Sequence, residues 1–123
     1  MMSEDLPSLP DPQYTMEVSV DFVAQWCRLP LEKRPRLIDC RERDELEICR
    51  IDGCEWVPLG TFSVSLEKLT TDTTRGMVVY CHHGMRSMHA TAFLRAHGVE
   101  NAFSMRGGID VWSAEIDSEM ARY

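Results

Sequence analysis

A chain of 123 residues with 44% hydrophobic composition is long enough to bury one compact core without metal or disulfide staples, and it leaves no room for a second domain. The formal charge of −7, spread along the chain rather than gathered in one tail, argues against nucleic acid as a partner, because phosphate contacts need a basic surface. The longest useful apolar run, residues 77–81, falls far short of a bilayer span, so no membrane partner is expected.

Residues 1–15 carry Glu4, Asp5 and Asp11 among prolines, the opposite of the basic-then-apolar layout of a secretory signal. They are expected to form a flexible lead-in to one domain over 16–123, with a cytoplasmic location. The five cysteines, Cys27, Cys40, Cys49, Cys54 and Cys81, are odd in number and none is spaced as CxxC. Neither a disulfide framework nor a zinc ribbon is suggested, and a reducing compartment fits best.

In chain order, residues 16–18 fit a short strand, after which Ser19 caps a helix to about residue 28 with Phe22, Val23 and Trp26 on one face. A loop broken by Pro30 and Pro35 leads to a buried strand over 36–40, apolar and then at once charged, which puts Asp39 and Arg41 at its carboxyl end. A short helix over 42–49, with Leu46 and Cys49 inward, and a turn at Gly53 come next. Residues 56–59 read as an edge strand, since Pro58 cannot donate to a ladder, and residues 61–69 as a helix.

The clearest strand is 77–80, which is rich in β-branched residues and ends directly on Cys81. Beyond a polar loop over 81–87, a helix runs from Ser87 to about residue 97 with Ala90, Phe93 and Leu94 inward and Gly98 closing it. A strand over 101–105, a turn at Gly107 and Gly108, and a helix over 109–116 carrying Trp112 complete the chain. Trp26, Trp56 and Trp112 are core candidates. Alternating strands and helices imply an α/β fold with a mostly parallel sheet covered on both faces, and ligands gather beyond the carboxyl ends of such strands.

That edge holds the segment Cys81, His82, His83, Gly84, Met85, Arg86 and Ser87, set between a buried strand and a helix N-terminus where backbone N–H groups lack helical partners. Gly84 gives the loop freedom to curl into an anion-binding nest, Arg86 adds a permanent positive charge, and Ser87 can cap the helix. A thiol held there is acidified by the inward N–H groups and the helix end, which makes Cys81 a candidate nucleophile and a host for a persulfide.

Several motifs together resemble the rhodanese family. Leu37 to Glu42 with Glu45, Ile48 and Ile51-Asp52-Gly53, then Val57-Pro58, is similar to its first signature. Val78-Val79-Tyr80-Cys81 with Gly84 and Arg86-Ser87 is similar to its catalytic loop, and Met105-Arg106-Gly107-Gly108 with Trp112 to its C-terminal signature. The resemblance implies a rhodanese-like five-stranded parallel sheet with helices on both faces, spanning about residues 18–112. It also implies a sulfurtransferase with Cys81 as sulfur carrier, Arg86 and the loop amides binding an anionic donor, and Asp39 and Arg41 bracing the site. Expected partners are thiosulfate or a protein or thiol persulfide as donor, and a thiol or cyanide as acceptor; neither cofactor nor metal is implied.

Other readings exist for the same residues. Phosphatase relatives place one more residue between cysteine and arginine to cradle a larger phosphate, so the shorter Cys81–Arg86 loop favours sulfur over phosphatase or arsenate-reductase chemistry. A non-catalytic binding or regulatory module is the alternative of a different class, and an intact Cys81 and Arg86 speak against it. Adjacent His82 and His83 in a tight loop converge poorly on one ion, and shaping the pocket mouth or contacting substrate suits them better. Cys40, near the same edge, reads as a packing residue, with a second functional thiol as the alternative.

Overall fold

The computed structural model describes residues 6–123. Its centre is a sheet with strand order β1-β5-β4-β2-β3, formed by β1 (Glu17–Val18), β2 (Arg36–Asp39), β3 (Glu55–Trp56), β4 (Met77–Tyr80) and β5 (Ala102–Met105), with every pairing parallel. The helices are α1 (Val20–Trp26), α2 (Arg43–Ile48), α3 (Leu66–Leu69), α4 (Met85–Ala96) and α5 (Gly108–Glu115). β2, β4 and β5 are buried along their whole length, as strands covered on both faces must be.

Alternation along the strands divides the core in two. Leu37, Val78, Tyr80, Phe103 and Met105 pack with Val23 and Trp26 of α1 and Ile109 and Trp112 of α5. On the opposite face Ile38, Cys40, Val79, Cys81 and Ala102 pack with Leu69 of α3 and Ala90 and Leu94 of α4. Fully burying one such aliphatic side chain contributes about 1.5–3 kcal/mol. The strand that delivers Cys81 is therefore among the most firmly held parts of the molecule.

Local chemistry explains the element ends. Ser19 caps α1, its hydroxyl accepting from the Phe22 amide at 3.2 Å. Glu42 and Glu45 form a reciprocal capping box that starts α2. Three expectations need correction. The helix expected over 61–69 shrinks to α3, preceded by a 3-10 turn at Leu59–Thr61, because Thr61, Phe62, Ser63, Val64 and Ser65 are all weak helix formers. Leu46 is only half-buried and joins neither core cluster, whereas Cys49, also half-buried, packs against the core as expected. Trp56 lies on the edge strand, half-buried, with its indole N–H donating to the Arg41 carbonyl at 2.8 Å.

Of the residues assigned to the lead-in, 1–5 lie outside the described residues, and the stretch from Pro7 onward makes contacts with the rest of the chain. Trp26 Nε1 donates to the Pro7 carbonyl at 2.7 Å, Leu9 packs on the core, and the Arg95 guanidinium donates to the carbonyls of Pro12 and Thr15, each at 2.9 Å.

Candidate active site

Cys81 follows the last residue of β4 and is buried, with its sulfur turned into the loop that leads to α4. The Gly84 amide donates to Sγ at 3.1 Å and the Ser87 amide at 3.3 Å. Gly84 sits at φ +111°, a left-handed conformation that glycine adopts without strain and that bends the loop around the sulfur. The helix begins at Met85, earlier than expected, and Gly84 is its cap. Ser87 does not cap it: its hydroxyl turns inward, 3.4 Å from Sγ, 3.1 Å from the Gly84 carbonyl and 2.7 Å from Ser104 Oγ. One hydroxyl carries one proton, so with sulfur ionised Ser104 donates to Ser87 and Ser87 donates to Sγ.

These donors hold the Cys81 thiol down to about 4, far below its ordinary 9.0, against the opposing effect of burial. The largest cause is a hydrogen bond from the Cys40 thiol, followed among the favourable ones by the Ser87 hydroxyl and the two loop amides. The Cys40 thiol is pushed up correspondingly, by its role as donor to Cys81 and by burial. These causes favour the thiolate on Cys81 and the protonated thiol on Cys40.

The loop is also supported from behind. At the start of α5, the Ile109 amide donates to the Cys81 carbonyl at 2.9 Å and the Asp110 amide to the His82 carbonyl at 3.1 Å. Gly108, at φ +64°, has those same two carbonyls pressed against the place a Cβ would occupy. The turn at Gly107 and Gly108 thus does more than lead into a helix; it clamps the loop backbone.

Arg86 lies at the loop's end, as expected, but it is not a free cation. Its guanidinium makes two parallel bonds to the Glu45 carboxylate, at 2.6 and 2.8 Å. Asp39 and Arg41 form a fully buried ion pair at 2.7 Å, and Arg41 also donates to the Cys49 carbonyl at 2.7 Å and to Tyr123 Oη at 2.8 Å. Tyr123 Oη in turn donates to Glu45 at 2.8 Å, so one network joins Asp39, Arg41, Tyr123, Glu45 and Arg86. His82 stacks between His83 and Tyr123, each ring centroid 3.8 Å away, and its Nε2 lies 2.8 Å from the Tyr123 carbonyl oxygen. His83 and Met85 are exposed at the loop surface.

The structure therefore brings all nine candidate residues to one edge of the sheet. Those whose place here sequence reasoning missed are Glu45 as the partner of Arg86, Ser104 behind Ser87, and Tyr123 beside His82. Glu45 carried a signal, since it belongs to the first of the three motifs that resemble the family; Ser104 and Tyr123 carried none.

A family model described as a Rhodanese-like domain matches residues 23–115. A relative from Mycobacterium tuberculosis, named a probable adenylyltransferase/sulfurtransferase, MoeZ, is 35% identical over 89 residues, which is 71% of this chain and 22% of that protein. The chain thus spans about a fifth of the length of that curated relative. Among solved structures, Bacillus anthracis CoADR-RHD superposes with a TM-score of 0.74 at 23% identity, covering 90% of this chain and 18% of the other. The human single-domain sulfurtransferase TSTD1 gives 0.72 at 22% identity, covering 82% and 97%. At these identities the structural likeness is one of fold. Taken with the family match across most of the sequence, it shows that the chain belongs to the rhodanese-like domain family.

Proposed function

We propose that the protein is a sulfurtransferase that carries transferable sulfur as a persulfide on Cys81. The observation that supports this most directly is the thiolate cradle, with Gly84 and Ser87 amides donating to a sulfur that ends a buried strand. A thiolate so placed attacks the outer sulfur of a donor such as thiosulfate; the new S–S bond forms as sulfite leaves with the electron pair of the old one. The terminal sulfur anion then occupies the nest, and an acceptor thiolate or cyanide takes it, restoring the Cys81 thiolate. The neutral-pH thiolate needs no separate general base.

In this reading Cys81 is catalytic; His82, His83, Gly84, Met85, Arg86 and Ser87 form the substrate-binding loop; and Asp39 and Arg41 support it. A cradle of backbone amides suits a small anionic donor or the anionic tip of a thiol or protein persulfide. The sulfurtransferase named among the relatives supports the same chemistry. After incubation with thiosulfate and desalting, intact-mass measurement should show a gain of one sulfur atom, removed by cyanide and absent in Cys81→Ser. A wild-type protein that never gains sulfur from thiosulfate or from a low-molecular-weight persulfide overturns the proposal.

A further inference from the structure

The strand register sets two thiols side by side. β2 and β4 pair with Ile38 opposite Val79 and Asp39 opposite Tyr80, and the Cys40 amide donates to the Tyr80 carbonyl at 3.1 Å, carrying the ladder one step further. Cys40 consequently stands beside Cys81, and both side chains enter the same core cluster as Ile38 and Val79. Adjacent strands lie about 4.8 Å apart, within the roughly 4.4–6.8 Å between Cα atoms that a disulfide spans. Packing alone asks only for a small apolar residue at this position, and no step of the transfer cycle above forms or breaks a bond to the Cys40 sulfur. Register and shared packing make the two cysteines neighbours, and the opposite shifts of their thiols, Cys81 down and Cys40 up, agree with that placement.

We propose that Cys40 is a resolving thiol, which attacks Sγ of the Cys81 persulfide and releases the outer sulfur as hydrosulfide when no external acceptor takes it. This rests on the persulfide reading of Cys81. In the step, a bond forms between the Cys40 and Cys81 sulfurs while the bond from Cys81 Sγ to the outer sulfur breaks. The outer sulfur leaves with that electron pair and with the proton of the Cys40 thiol. One thiol and one persulfide anion become one disulfide and one hydrosulfide ion, so charge and atoms balance and no outside oxidant enters. External thiols, two equivalents per disulfide, return both cysteines to the reduced state.

The layout suits such a displacement. Cys40 approaches from the neighbouring strand, whereas the Gly84 and Ser87 amides that would hold the outer sulfur belong to the loop. Loading also changes the electrostatics in the required direction. The Cys81 thiolate beside it disfavours ionisation of Cys40, and that charge moves outward by one atom when the persulfide forms.

The test uses the whole chain, loaded with thiosulfate, desalted free of thiols and followed by intact mass and a sulfide assay. The expected wild-type result is loss of the added sulfur, release of one hydrosulfide per loaded chain, and a product two hydrogens lighter than the unloaded protein, with peptide mapping joining Cys40 to Cys81. Cys40→Ala and Cys40→Ser should retain the added sulfur roughly tenfold longer. Wild-type protein that keeps its sulfur, or loses it with both thiols still free, overturns the inference. Because the wild-type product itself is read, the outcome does not depend on the variants folding. Failure to load any sulfur overturns the persulfide reading instead, and is seen before the resolving step begins.

Discussion

Arg86 and Glu45 are joined by a two-pronged ion pair, Nη1 to Oε1 at 2.6 Å and Nη2 to Oε2 at 2.8 Å, although 41 positions separate them in sequence. The positive charge at the end of the loop is therefore matched before any substrate arrives. Attraction for a small anion falls chiefly to the backbone amides, and Glu45 tempers how strongly Arg86 adds to them.

Removing that restraint should tighten donor binding. In Glu45→Gln the guanidinium regains its net charge, and KM for thiosulfate should fall about threefold or more, at a stability cost of about 1–2 kcal/mol from the lost charge-assisted bonds. Arg86→Ala should raise the same KM roughly tenfold. Initial rates of thiocyanate formation against thiosulfate concentration check both, and an unchanged KM in Glu45→Gln contradicts the restraint.

The same pair sets an acid limit on stability. Hydrogen bonding to Arg86, more than any other cause, holds the Glu45 carboxyl down to about 2, below its ordinary 4.5. A carboxyl depressed on folding stabilises fully above its unfolded value and loses that contribution as pH falls toward the folded one. Urea midpoints measured from pH 5 down to 2 should drop more steeply in wild type than in Glu45→Gln, and parallel curves sink this prediction.

Cys81 should titrate far into the acid range. The rate of alkylation by iodoacetamide, which follows the thiolate fraction, should be level through neutral pH and fall with a midpoint near 4. Ser87→Ala removes a donor to the thiolate and should shift the midpoint upward, which stopped-flow alkylation across pH 3 to 8 would detect. The linked stability is present above the ordinary thiol value of 9.0 and diminishes as pH falls through about 4.

Two glycines with positive φ should respond differently to alanine. At Gly98, φ +97°, no atom stands near the added methyl, so Gly98→Ala should cost about 1 kcal/mol from backbone strain alone. At Gly108, φ +64°, the methyl meets the carbonyls of Cys81 and His82, and Gly108→Ala should cost roughly 3 kcal/mol or more and depress sulfur loading. Denaturant unfolding together with mass-detected loading separates the two cases; equal effects would show that the clamp is dispensable.

Asp39→Asn should be the most damaging single-atom change near the site. It leaves Arg41 charged and buried without its partner, and breaking such a pair costs about 3–5 kcal/mol. The expected result is a large loss in thermal midpoint with no compensating change in KM.

Much of the fold was legible because its strands are short apolar runs that end abruptly in charge or a turn residue, as at Asp39 and Cys81. The sulfur cradle was legible for a local reason: a cysteine, a glycine and a helix start lie within a few residues, and their geometry follows from the backbone. Where the helix starts was not, because Gly84 itself makes the cap and frees Ser87 to face Cys81 and Ser104. The partners of Arg86 and His82 were hidden for a different reason. Glu45 reaches Arg86 only through the adjacency of β2 and β4, and Tyr123 reaches His82 from the far end of the chain, so no local pattern encodes either contact.

Tyr123 lies flat on His82, with its carbonyl oxygen against the imidazole and its hydroxyl between Arg41 and Glu45. The Tyr123 side chain thus forms part of the rim of the sulfur-handling loop, and displacing it would bare one face of the His82 imidazole and deprive Arg41 and Glu45 of a shared partner at the same time.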